Sequence, residues 1–175
     1  YEGTPLSVAD GDDLGGGIWQ MPYRPTPLSF KVDGKQCFNE RPTSTQQSGF
    51  VYVSQMRAWL PREIGGVLWF GNDDANMVPF TPIYCSSTVQ PECYNTPGAD
   101  AVTFSDKNAY WVCNMTSNMV YPRYSQLFPT LKAVRDSLDN SYFAAQNEVE
   151  AKAKELYAQH PQQAVKYLND YGIEK

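Results

Sequence analysis

The sequence predicts an α+β fold, antiparallel strands followed by helices, and two changes of pattern carry that reading. In the first half, Phe50, Tyr52, Ser54 and Met56 fall on one side of an extended chain, and Val51, Val53, Gln55 and Arg57 fall on the other. That is the period-two alternation of a strand, rich in the β-branched and aromatic types a pleated surface favours. From Ser105 onward the side chains recur instead at three- and four-residue steps, the period of a helix. With 175 residues, of which 42% are hydrophobic and 14% aromatic, the chain is long enough to bury a core of its own.

The elements follow in order. Asp10 to Gly17 is a Gly/Asp loop; its acids lack the alternating ligands and late glutamate of an EF-hand, so it reads as a solvated turn. Leu28 to Val32, the turn Asp33-Gly34, and Lys35 to Glu40 form a hairpin, because Asp-Gly is a strong two-residue turn signal. The strand from Phe50 ends at Pro61, which has no N–H to offer a ladder, and Gly65-Gly66 supplies a turn. Val67-Leu68-Trp69-Phe70 is a short apolar run expected of a strand buried on both faces, stopped by Gly71-Asn72-Asp73-Asp74.

Asn76 to Thr103 is rich in Pro, Thr, Ser, Asn and Gly and reads as a long ordered loop, of the kind that lines a site or packs on a neighbour. A helix capped by Ser105 follows, with Tyr110, Trp111, Asn114, Ser117, Asn118 and Tyr121 on its repeat and a break at Pro122. A second helix runs from Pro129 to Gln159, with Leu131, Val134, Leu138, Tyr142 and Phe143 as its apolar stripe. His160-Pro161 punctuates it, and Pro161 to Tyr171 forms a short third helix. The chain thus divides into strands and loops over 1–75, a loop over 76–104 and a helical part over 105–175.

A net charge of −5 argues against nucleic acid as a partner, since phosphate backbones demand concentrated Lys and Arg. No apolar run approaches the roughly 20 residues that span a bilayer. Cys37, Cys85, Cys93 and Cys113 lack the CxxC spacing of a zinc site, and no cofactor is expected. Cys85 and Cys93 bracket a proline-containing loop; they are either bridged in an oxidising compartment or free thiols. Asn114 and Asn118 read as satisfied polar groups between helix and loop, and the Asn114-Met115-Thr116 sequon as chance. His160 reads as a helix-end residue, and Trp19, Trp59, Trp69 and Trp111 as core.

Four blocks carry a family resemblance: Tyr1-Glu2-Gly3-Thr4-Pro5; Glu40-Arg41 leading into Thr45-Gln46-Gln47; Gln55-Met56-Arg57-Ala58-Trp59-Leu60-Pro61; and Ile64-Gly65-Gly66-Val67-Leu68-Trp69-Phe70-Gly71. Pro82-Ile83-Tyr84-Cys85, Pro91-Glu92-Cys93 and Ala109-Tyr110-Trp111 extend the set in the same order. Together they resemble the C69 dipeptidases, a family of N-terminal-nucleophile hydrolases. The resemblance implies an αββα sandwich, a dipeptide substrate and a cysteine at the mature N-terminus whose own α-amine serves as general base. This chain begins at Tyr1 with no cysteine near that end. By the resemblance it is therefore a C-terminal portion lacking the nucleophile, inert alone and completed by the missing N-terminal part.

The supporting groups the resemblance implies are Arg24, in Met21-Pro22-Tyr23-Arg24-Pro25, and Arg41, each able to hold a dipeptide carboxylate or steady a thiolate, or else to pair with Glu40 or Asp33 on the surface. Kinship also points to export, and exposed sheet edges to homo-oligomer formation. Two other readings stand beside the dipeptidase: a peptide- or glycan-binding module of an exported protein, using the loop from Asn76 to Thr103, and a related amidase.

Overall fold

A computed structural model of the chain describes residues 19–21, 29–38 and 42–174. The Asp33-Gly34 turn, with φ of 49° and 78°, joins β1 (Ser29–Val32) to β2 (Lys35–Phe38) in an antiparallel ribbon. A positive φ at both central residues matches the right-handed twist of the flanking strands. The second sheet has three antiparallel strands in the order β3 (Phe50–Met56), β4 (Gly66–Asn72), β5 (Thr81–Tyr84). Its helices are a single turn, α1 (Arg62–Gly65), then α2 (Ala109–Val120), α3 (Tyr124–Gln159) and α4 (Pro161–Glu174). The fold is α+β, as the sequence predicts.

The two faces of the three-stranded sheet differ. Val51 pairs with Gly71, Val53 with Trp69 and Gln55 with Val67, while Trp69 faces Pro82 and Val67 faces Tyr84 on the other side. This face carries the core: Val67, Trp69 and Tyr84 pack with Ile64 against Tyr142, Val149 and Ala153 of α3 and Leu168 of α4. A second cluster joins Met77 and Val78 to Val120, Tyr121, Tyr124 and Phe128, closing the sheet onto the start of α3. On the opposite face Phe50, Tyr52 and Met56 are exposed, and Leu68, Phe70 and Ile83 are half-buried. Strand β4 is therefore fully buried on one side only, because the described helices cover one face of the sheet.

Several local expectations change. The Gly65-Gly66 pair is not a free turn: Ile64 and Gly65 both donate to the Pro61 carbonyl, at 2.9 and 2.8 Å, and this single helical turn leads directly into β4. Small residues are required there because a Cβ on Gly65 would lie 2.7 Å from the Arg57 carbonyl oxygen. The segment read as loop over 76–104 contains β5, hidden in composition by Pro82 and Thr81, with Pro82 facing the core. Helix α2 is capped by Asn108, whose Oδ1 accepts from the Trp111 amide at 3.3 Å; Ser105 instead receives the Lys107 amide one turn earlier. Pro122 does end α2, in a 3-10 turn over Tyr121–Arg123.

Helix α3 begins five residues before Pro129, since Tyr124 and Phe128, stacked 4.5 Å apart, gain burial from the extra turn. Its predicted stripe is largely turned outward: Val134, Leu138 and Phe143 are exposed, and only Tyr142 of the five is fully buried. The inward face mixes apolar Tyr142, Val149 and Ala153 with paired polar groups. Asp139 Oδ1 accepts from the Phe80 amide at 2.8 Å, Gln146 donates to Gln55 at 2.8 Å, and Glu150 meets Arg57. Polar groups are buried at low cost when they are hydrogen-bonded, and a hydrophobic period alone cannot reveal such a face.

Candidate functional site

At the end of the sheet where β3 stops, α1 intervenes and β4 starts, a cleft of about 770 Å³ opens. Its apolar wall is Met56, Ala58 and Leu60; its polar wall is Arg57, Arg62 and Glu63; Gly65, Gly66, Cys85 and Ser86 form the remainder. The local sequence builds it. Pro61 turns the chain out of β3, the one-turn helix presents Arg62 and Glu63 side by side, and the two glycines let β4 start close under the cleft. A Cβ on Gly66 would come 2.9 Å from Cys85 Sγ.

The charged groups have different fates. Arg57 Nη1 lies 2.6 Å from Glu150 Oε1, while Nη2 and Nε donate to the carbonyls of Ile64 and Gly65 at 3.2 and 3.3 Å. Glu150 also accepts from Gln146 at 3.0 Å and from Tyr84 Oη at 3.3 Å. Burial, and after it the neighbouring Glu150 carboxylate, push the Tyr84 phenol well above its ordinary pKa. Arg57 and Glu150 are thus a buried, satisfied pair that ties β3 and α1 to α3. Glu63 receives the Tyr157 phenol, whose pKa its charge raises. Arg62 is exposed and has no acceptor among the described residues.

A second polar cluster lies at the opposite end of β4. Asp74 accepts from Ser44 and from Tyr121, and Asn76 Nδ2 donates to Tyr124 Oη at 2.8 Å. Asp73 is 1% exposed and sits at φ +84°. Its Oδ2, like Ser117 Oγ, makes no hydrogen bond among the described residues. Burial raises the Asp73 pKa, and the neighbouring Ser117 and Asn114 side chains offset part of that rise. Burial, and then Asp73, push the nearby Cys113 thiol up to about 11. Asp73 and Asp74 are closed to solvent, and their contacts organise the end of β4.

The residues singled out from sequence are spread widely. Arg24 and Arg41 lie outside the described residues, as do Tyr1 to Pro5 and the Asp10–Gly17 loop. The Asn118 side chain is exposed and donates to the Asn114 carbonyl one turn away, so it is not a helix-to-loop group. His160 is exposed at the junction of α3 and α4. Trp69 is core, whereas Trp59, beside the cleft, is 79% exposed; Trp19 stacks on Arg123 and Trp111 donates to the Asp100 carbonyl. All four cysteines are free, Cys85 exposed and the others half-buried. Among the described residues no group of His, Cys, Asp and Glu is arranged to hold a metal ion, and no helix is long and apolar enough to cross a membrane. Arg62 was missed because Pro61 read only as a strand stop; the sequence signal was a Pro-Arg-Glu triplet one residue ahead of the Gly65-Gly66 pair.

The cleft and the second core cluster fall within the stretch that matches a known family, and the sheet side of the first cluster does too: the model of peptidase family C69 covers residues 21–137. That is more than half of the chain. The chain belongs to peptidase family C69. No curated protein matches it. The C69 match ends inside α3, so Glu150 lies beyond it, although its partner Arg57 lies within. Peptidase chemistry is the activity that membership supports.

Proposed function

We propose that the protein of which this chain forms part is a cysteine dipeptidase, with the nucleophile a cysteine at the mature N-terminus, outside this chain. The observation that carries the reading is the C69 match over 21–137, which contains the Gln55–Pro61 and Ile64–Gly71 blocks in full. In such an enzyme the thiolate attacks the amide carbon, the amine leaves, and water hydrolyses the acyl-enzyme, while oriented donors stabilise the developing oxyanion. Arg24 and Arg41 are the proposed supporting cations near that thiolate. Two of this chain's four cysteines suit a nucleophile poorly: burial raises the Cys93 and Cys113 thiols, which disfavours their reactive form. The one-sided sheet suits an αββα sandwich, in which a second sheet would cover Phe50, Tyr52, Met56 and Leu68. We further propose export as the location.

The test compares this chain with the parent protein. Full-length enzyme is expected to release free amino acids from dipeptides, and exchange of its N-terminal cysteine for alanine to remove several orders of magnitude of rate. This chain alone is expected to release none above a buffer control. Hydrolysis by the isolated chain that disappears on replacing one of its own four cysteines would overturn the proposal. A parent protein with no such cysteine would leave the peptide- or glycan-binding reading in its place.

A further inference from the structure

We propose that the cleft between β3, α1 and the start of β4 is the subsite for the C-terminal carboxylate of a peptide, with Arg62 as its counter-ion; the peptide as substrate rests on the dipeptidase reading. Two guanidinium groups line the cleft, and only one is available. Arg57 is 10% exposed and its nitrogens are engaged by Glu150 and by the carbonyls of Ile64 and Gly65. Arg62 is exposed at the rim and meets no acceptor among the described residues. The acid beside it forms no ion pair with it among the described residues: Glu63 interacts with Tyr157, and its Oε2 is buried without a hydrogen-bond partner.

The geometry selects the ligand. A planar guanidinium matches a carboxylate through two parallel N–H···O bonds, which a point charge cannot imitate. Facing it, Met56, Ala58 and Leu60 offer an apolar wall against which the side chain of a C-terminal residue packs. A cleft of about 770 Å³ falls in the range of small-ligand sites and is large enough for a dipeptide. The glycine pair lets the start of β4 pack close against Arg57 and Cys85 at the base of the cleft, and in a chain of net charge −5 a cation with no acceptor among the described residues is a local attractor for anions. The subsite binds; it performs no bond-making step.

The experiment uses the full-length protein and two substrates, a dipeptide and the same dipeptide as its C-terminal amide. Arg62→Gln is expected to lower kcat/KM for the free acid roughly 10- to 100-fold, mainly through KM, and to leave the amide unchanged; Arg62→Lys should retain part of the activity. Equal losses on acid and amide, or none on either, overturn the subsite. Binding of a reduced-amide dipeptide analogue to the same two proteins reads the site without turnover. Weaker binding to Arg62→Gln supports it even if wild-type enzyme hydrolyses no dipeptide, in which case the dipeptidase reading fails alone. Equal binding to both, or none to wild type, overturns the subsite. An unchanged melting curve for the variant confirms that the effect is not on folding.

Discussion

Arg57 and Glu150, 93 residues apart in the chain, meet at 2.6 Å in a buried ion pair that joins the end of β3 to the middle of α3. Their side chains are 10% and 7% exposed, so neither charge has water to fall back on. Breaking one partner strands the other. Glu150→Gln is therefore expected to cost about 3–5 kcal/mol, read from the urea midpoint by circular dichroism. Replacing both, as Arg57→Met with Glu150→Leu, should recover most of that loss. A double variant no better than the single would show that the carbonyl contacts of Arg57, rather than the charge pair, hold the junction.

Gly65→Ala places a methyl 2.7 Å from the Arg57 carbonyl oxygen, a backbone atom that cannot swing away. The expected loss is about 1–3 kcal/mol by thermal melting, with a further loss of ligand in the cleft. By contrast Gly49→Ala, where a Cβ meets nothing within 4 Å, should melt close to wild type.

The Asp73 carboxyl has a raised pKa chiefly because it is buried. Between its ordinary value of 3.8 and the raised one, the folded chain holds more protons than the unfolded chain. Stability from this group is therefore present below about 3.8 and is lost as pH rises through the folded pKa. Asp73→Asn, which keeps the shape and tolerates the positive φ, should be more stable than wild type at pH 7, the advantage shrinking as pH falls. A variant less stable at pH 7 would mean that Ser117 and Asn114 stabilise the charge by more than burial penalises it.

Thiol chemistry gives an independent check on packing. With a pKa of about 11, only about one Cys113 in a thousand is thiolate at pH 8, while Cys85 stands exposed at the cleft. Brief alkylation of the folded chain should label Cys85 first and Cys113 last, as read by mass spectrometry after digestion. Early labelling of Cys113 would show that the contact of α2 with the Asp73 turn opens readily.

The sequence makes the strands legible where the alternation is strict. Phe50 to Met56 and the Asp33-Gly34 turn stand as predicted, because period two and positive-φ chemistry are local properties. Strand β5 was not legible: Thr81-Pro82-Ile83-Tyr84 is short, and Pro82 argues against a strand unless its missing N–H falls where none is needed. The face of α3 was hidden for a different reason. Asp139, Gln146 and Glu150 point inward because partners 59 to 93 residues away satisfy them, and no window on the helix contains those partners. The cleft was half legible. Its walls lie in the blocks that carry the family resemblance, but the difference between Arg57 and Arg62 exists only once Glu150 has been folded into place.

The open sheet face links the chain's colloidal behaviour to its charge. Phe50, Tyr52 and Met56 are each more than half exposed, and a net charge of −5 opposes the approach of copies of this surface at neutral pH. Near the isoelectric point of about 4.8 that repulsion vanishes. Acid thus acts in two opposite senses: inside the molecule it relieves Asp73, and between molecules it lets bare sheets meet. Turbidity peaking near pH 4.8, in a chain whose unfolding midpoint has not yet dropped, is the expected signature of a protein that precipitates folded.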